Sequence, residues 1–227
     1  MRKVGILGTS ANPLHSSHVA AAEMALKQLK LDEVWFMITP NSPFKDIRIY
    51  APTDDRMHLA HLVVRESGLL GSKLKISEFE ILLRHFDVGN ATATMLQRFT
   101  LVHPTIQPVW LMGADNLTQL HTWGGRWQEI MELYPVVVFS REGYTAEATE
   151  SVVAQKYRTS LCHVEQFDCH PNTWCIIRTE KTSVSSTKIR ELLASGIKPE
   201  YLSEEAIEYI RIQNMYGYAD ALNQKFS

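Results

Sequence analysis

Cysteine is scarce: three in 227 residues, an odd number, which does not make a disulfide framework and excludes a small stapled scaffold. Long hydrophobic runs are missing too. Nothing approaches the roughly 20 apolar residues that cross a bilayer, and the N-terminus runs into a strand pattern with no secretory leader pattern. The chain therefore reads as cytoplasmic, with no membrane partner. Charge of one sign is absent: 23 Lys and Arg against 25 Asp and Glu leave a formal net charge of −2. That argues against a general nucleic-acid coat and leaves room for a local basic pocket. No internal repeat, low-complexity segment or inter-domain linker interrupts the chain. Hydrophobic residues at 45% and charged residues at 21% are ordinary for a globular protein, and this length buries a substantial core. One domain over 1–227 is the expectation.

What is present is organised around Gly5 to His18. Val4 to Leu7 is an apolar run that predicts a buried strand, Gly8 punctuates it, and Asn12-Pro13 mark a turn. From Ser16 the pattern turns helical through Ala20, Ala21, Ala22, Met24, Ala25, Leu26 and Leu29. Strand, polar turn and helix start are the parts of an anion site, because free N–H groups and the helix dipole face the turn. His15 and His18 stand three positions apart, a spacing that puts them on one side of a helix start. Imidazoles there either donate to phosphate oxygens or are solvated loop histidines. A metal site is disfavoured, because no further ligand stands at helical spacing.

Val34 to Ile38 predicts a second strand, so strand, helix and strand form a parallel βαβ unit. Pro40 and Pro43 stiffen the following loop and bring Lys45 toward the first loop, unless Lys45 is a plain surface lysine. Thr53 or Asp54 caps a helix through Val64. Leu74 to Ile76, Val109 to Met112, Pro135 to Phe139 and Trp174 to Ile177 predict further strands; Ala91 to Leu101, Trp127 to Leu133 and Glu147 to Lys156 predict helices. Asp115, just past the strand ending at Met112, is placed to accept from ribose hydroxyls or to cap the next helix. Trp123 before Gly124-Gly125 either stacks on a planar ring or packs on its own core. The cluster Thr182 to Arg190 enters a helix running to Ala194 and ended by Gly196. Its cations Lys188 and Arg190 oppose the dipole preference at a helix start, which makes sense beside an anion such as a polyphosphate. Ser203 to Ile212 predicts a last helix, with Ser203 as its N-cap and Glu204 and Glu205 in its first turn. Cys162, His163, Cys169, His170 and Cys175 lack metal-site spacing.

These landmarks together carry a resemblance. His15-Ser16-Ser17-His18 resembles an HxGH-type motif, and Ser185-Ser186-Thr187-Lys188-Ile189-Arg190 matches an SSTxxR-type motif throughout. Between them, Gly113-Ala114-Asp115-Asn116, Trp123, Trp127 and Arg141-Glu142-Gly143 follow a GADN…W…W…RxG order. From Val4 to about Tyr209 the chain resembles bacterial nicotinate-nucleotide adenylyltransferases of the nucleotidyltransferase superfamily. The expected fold is α/β: a Rossmann-like, doubly wound parallel sheet over 1–190, with a small C-terminal helical cap over 191–227.

The resemblance implies that the 5′-phosphate of a pyridine mononucleotide attacks the α-phosphate of ATP, giving deamido-NAD and pyrophosphate, with Mg²⁺ carried on the ATP phosphates and no protein-held metal. It assigns His15, His18, Lys45 and Arg190 to catalysis. Gly8, Thr9, Ser10, His15, His18, Ser185, Ser186, Thr187 and Arg190 would surround ATP, and Asn12, Lys45, Thr92, Asp115 and Trp123 would hold the acceptor. The chain departs from the family at Ala11, where an aromatic is usual, at Ser17, where glycine is usual, and over Ala91 to Leu96, which keeps one threonine and lacks the tyrosine and aspartate. The ATP half is thus intact and the acceptor half altered. Nicotinate mononucleotide is the leading acceptor. Nicotinamide mononucleotide, another phosphorylated acceptor, and a catalytically silent nucleotide sensor are the alternatives. No nucleic-acid partner is expected, and the sequence leaves a homo-oligomer open.

Overall fold

The structure is a computed structural model and describes residues 1–40, 47–83, 91–141, 145–179 and 184–226. Six parallel strands form its sheet: β1 (Arg2–Thr9), β2 (Glu33–Ile38), β3 (Leu74–Ser77), β4 (Ile106–Gly113), β5 (Val136–Arg141) and β6 (Trp174–Thr179). Their order is β3-β2-β1-β4-β5-β6, every pair parallel. Strands buried on both faces need apolar residues at odd and even positions alike, which is why these segments read as continuous hydrophobic runs. Leu7, Phe36, Leu111 and Val137 enter the core on one face. Ile6, Met37, Trp110 and Val138 enter the core on the other. Each such side chain contributes about 1.5–3 kcal/mol on burial.

Helices α1 (Ser16–Gln28), α2 (Thr53–Arg65), α9 (Ser186–Ala194) and α10 (Glu204–Ile212) cover the first face. Helices α4 (Ala91–Val102), α5 (Ala114–Gln119), α6 (Trp127–Leu133), α7 (Thr145–Glu150) and α8 (Val152–Lys156) cover the second; α3 (Phe79–Leu83) and α11 (Tyr218–Phe226) complete the described helices. This is the doubly wound, Rossmann-like sheet that the sequence predicts. No described helix is long and apolar enough to cross a membrane.

Four local expectations are corrected. Pro52, not Thr53 or Asp54, is the N-cap of α2, and Asp54 and Asp55 sit in its first turn against the positive end of the dipole. The helix expected from Glu147 to Lys156 is two helices, because Ser151 accepts the N–H of Ala154 at 3.2 Å and starts a new one. Asp115 does not cap α5. Gly113 is the N-cap and Asp115 lies inside the first turn. The helix ending at Ile212 is not the last, since α11 follows it. Ser203 caps α10 as its sequence predicts, accepting from Ala206 at 3.0 Å.

From β1 the chain moves outward to β2 and β3, then crosses back to β4 on the opposite side of β1. The loops after β1 and β4 therefore diverge, and open parallel sheets bind ligands in the crevice this creates at the C-terminal ends of the strands.

Candidate active site

The loop after β1 is shaped by its own polar groups. Thr9 Oγ1 accepts the N–H of Ala11 at 3.1 Å, and Ala11 takes a left-handed φ of 46° before the cis Asn12-Pro13 bond. Gly8 cannot carry a side chain here: a β-carbon would stand 2.5 Å from the Trp110 ring. His15 is 2% exposed and is the N-cap of α1 in extended conformation, with His18 half-buried one turn on. Their rings lie 4.1 Å apart. The His15 N–H donates to His18 Nδ1 at 3.4 Å, which leaves the proton of a neutral His18 on Nε2, the nitrogen that then acts as donor. The expected free N–H groups at this turn need one correction. Ser16 N–H is spent on the Tyr201 carbonyl at 3.3 Å, and His18 N–H on His15 O at 2.9 Å.

Two side chains from the C-terminal motif close on this loop. Ser185 caps α9 by accepting the Lys188 N–H at 3.1 Å. Ser186 Oγ then donates to Pro13 O at 3.0 Å, and Arg190 Nη1 to Asn12 O at 2.8 Å, while Arg190 Nη2 reaches Thr187 Oγ1 at 3.3 Å. Lys188 differs from Arg190: it is exposed, 3.8 Å from Glu191. The structure thus brings the SSTxxR-type motif onto the loop that leads into the histidine motif. Asn12 serves as its hub. Its Nδ2 donates to Ile49 O at 2.9 Å, and its Oδ1 accepts from Ala51 N–H at 3.1 Å and from the Tyr216 hydroxyl at 3.0 Å. Lys45 lies outside the described residues, as do Glu142, Gly143, Thr182 and Ser183.

Arg56 is a residue the sequence reading treated only as part of a helix pattern. It is fully buried, and all five of its N–H donors are used. Nε donates to Ala51 O, Nη1 to Ser10 O and Thr39 O, and Nη2 to Pro40 O and Thr53 Oγ1, over 2.5–3.0 Å. Burial pushes its pKa down from the usual guanidinium value, and carbonyl dipoles offset the cost of the buried charge. One cation thereby ties the loops after β1 and β2 to the start of α2.

Across the switch point, β4 delivers Asp115, exposed, with Gly113 before it. A β-carbon on Gly113 would stand 2.4 Å from Asp115 Oδ1, so the carboxylate's position depends on glycine. Trp123 is half-buried and packed against the second core, and Gly124 at φ 90° makes the turn after it. Thr92 is half-buried in the first turn of α4. Arg126, unassigned from sequence, joins this loop to α4: it donates to Thr94 Oγ1 at 3.0 Å and Gln97 Oε1 at 3.1 Å, and Nε and Nη2 donate to Glu129.

The donor set suits an anion. Imidazoles, hydroxyls and a guanidinium face the first loop, and among the described residues no group of three or more His, Cys, Asp or Glu could hold a metal ion. The three cysteines are free thiols, and burial pushes each of them up from the ordinary thiol range.

A sequence profile described as cytidylyltransferase-like matches residues 6–192. A Brucella abortus protein named "Probable nicotinate-nucleotide adenylyltransferase" is 34% identical over 193 residues, covering 83% of this chain and 94% of the relative. A Mesorhizobium japonicum protein of the same name is 34% identical over 195 residues, with the same coverage. Among solved structures, Plasmodium falciparum nicotinic acid mononucleotide adenylyltransferase, complexed with APC, superposes with a TM-score of 0.71 at 15% identity, over 96% of this chain and 98% of the other. Its complex with NaAD superposes equally, at 14% identity. At those identities the superposition speaks for the fold alone.

Proposed function

The chain belongs to the cytidylyltransferase-like family and, within it, to the nicotinate-nucleotide adenylyltransferases; from that premise we propose that it transfers AMP from ATP to nicotinate mononucleotide. The products are deamido-NAD and pyrophosphate. The observation that carries this reading is the joining of the two motifs, Arg190 to Asn12 and Ser186 to Pro13, on the loop that holds His15 and His18.

In the reaction a 5′-phosphate oxygen of the acceptor bonds to the α-phosphorus of ATP, the bond from that phosphorus to the β-bridging oxygen breaks, and pyrophosphate leaves. No protein nucleophile is needed. The protein's work is in-line placement and neutralisation of growing charge. His15 and His18 contact ATP phosphates, with His18 Nε2 as donor. Arg190 holds Asn12 O and Thr187 Oγ1 through two of its N–H groups and directs the others to β- and γ-phosphate oxygens. Ser185, Ser186 and Thr187 supply hydroxyls and helix-start donors, and Gly8, Thr9 and Ser10 supply backbone. Asp115 accepts from a ribose, Trp123 stacks on the pyridine ring, Thr92 lines the acceptor side, and Asn12 acts through the scaffold it holds. Lys45 is kept as a clamp on phosphate by family pattern. Mg²⁺, when bound, lowers the negative charge on the ATP phosphates. Both substrates are polar and diffusible, which fits a cytoplasmic enzyme.

The test is magnesium-dependent pyrophosphate release from ATP, with nicotinate and nicotinamide mononucleotides supplied separately. Preference for the nicotinate form supports the proposal. Preference for the amide would assign direct NAD synthesis and point to the altered Ala91 to Leu96 stretch, where Thr94 Oγ1 accepts from Arg126, as the cause. No release with either, despite ATP binding, would overturn both.

A further inference from the structure

The segment between α10 and α11 lies beyond residues 6–192, the stretch matched by the family profile. Its backbone is left-handed at Asn214 (φ 46°), Tyr216 (φ 58°) and Gly217 (φ 73°). An aromatic residue rarely adopts that conformation, and it persists where the surroundings hold it. Here they do so on both sides. Asn214 Oδ1 accepts the N–H groups of Ala219 and Asp220 at 3.1 and 3.3 Å, and Met215 is buried in the first core. The turn delivers the Tyr216 hydroxyl to Asn12 Oδ1 at 3.0 Å. Burial pushes the phenol up, against the opposing charges of Arg190 and Arg56, so it stays neutral and a donor. Asn12 in turn presents the carbonyl on which Arg190 docks.

We propose that Tyr216 is a positioning residue for adenylyl transfer: through Asn12 it fixes the carbonyl that orients Arg190. The C-terminal extension, outside the profile common to the family, thereby completes the nucleotide site. This rests on the adenylyltransferase reading above. Tyr216→Phe keeps the ring and its packing and removes only the hydroxyl.

The expected result is a fall in kcat of roughly five- to twentyfold. The acceptor KM should stay within about twofold, and the Tm should fall by only a few degrees, because Asn12 Oδ1 still accepts from Ala51 N–H. The same substitution in an Arg190→Ala background should cost nothing more, because the effect travels through Arg190. Kinetics of Tyr216→Phe that match wild type, or an equal loss in both backgrounds, would overturn the proposal. The wild-type protein assayed alongside separates the two claims. If it releases no pyrophosphate, the adenylyltransferase reading fails. The positioning role is then read from ATP affinity by calorimetry, which should weaken roughly three- to tenfold in Tyr216→Phe, and unchanged affinity would remove it.

Discussion

Arg190 Nη1 stands 2.8 Å from the carbonyl oxygen of Asn12, a hydrogen bond across 178 positions of sequence. It makes one site of a strand-to-helix loop at the N-terminus and a helix start near the C-terminus. Arg190→Lys tests how much the planar fork matters. A lysine keeps the charge and cannot hold Asn12 O, Thr187 Oγ1 and a phosphate at once. We expect kcat to fall by roughly tenfold to a hundredfold, with more lost in Arg190→Ala. Equal rates for lysine and arginine would reduce Arg190 to a point charge.

His18 offers Nε2 from the first turn of α1. Its replacement by alanine should remove transition-state stabilisation of about 3–4 kcal/mol, the scale of one preorganised donor. Single-turnover kinetics would show this in the chemical step. Near-normal turnover by His18→Ala would contradict its assignment.

Arg56 should matter for stability before it matters for rate. Arg56→Met leaves four carbonyls and a hydroxyl without their buried donor, and we expect a loss of about 3 kcal/mol or more in urea unfolding. Arg56→Lys should recover less than half, since an ammonium has three donors. A loss below about 1 kcal/mol for the methionine variant would show that the loops hold without it.

Glu33 predicts an acid-side effect. It is 8% exposed and accepts from Arg2 at 2.9 Å, Trp35 Nε1 at 2.6 Å and Lys75 at 2.9 Å. Burial alone would raise it. The hydrogen bonds of Lys75 and Trp35 and the charges of Lys75 and Arg2 outweigh burial and hold it below the usual carboxylate range. The folded value is therefore below the unfolded one, so its contribution is present above about pH 4.3 and lost as pH falls through the folded value. Urea midpoints measured from pH 6 down to 3 should drop less steeply in Glu33→Gln than in wild type. Parallel curves would show that Glu33 titrates alike in both states.

How much of this was legible differs by residue. Ser203 was readable as a cap, because an N-cap bond spans three positions, a distance a sequence displays directly; at α9 only the Ser/Thr cluster was readable, and the structure picks Ser185 from it. The start of α1 at Ser16 and the whole of α6 from Trp127 to Leu133 followed from local hydrophobic period. Arg56 was not readable. It sits among Met57, Leu59 and Ala60 in an ordinary amphipathic pattern, and only its distant acceptors, Ser10 O and Thr39 O, explain why a cation is buried there. Asp115 was placed at the right strand end but two positions too early in its helix, because Gly113 can cap without a side chain.

The sequence by itself determined the six strands and most of the helices, since each is a short-range pattern of apolar burial and end-capping, and it displayed the two motifs; α3, α11 and the break at Ser151 escaped it. The tertiary structure decided that those motifs lie together, that Ser16 N–H goes to Tyr201, and that Tyr216 reaches Asn12. The reason is geometric. Such partners stand tens to hundreds of residues apart, and only the parallel order of the strands, with the switch between β1 and β4, gathers their loops at one end of the sheet.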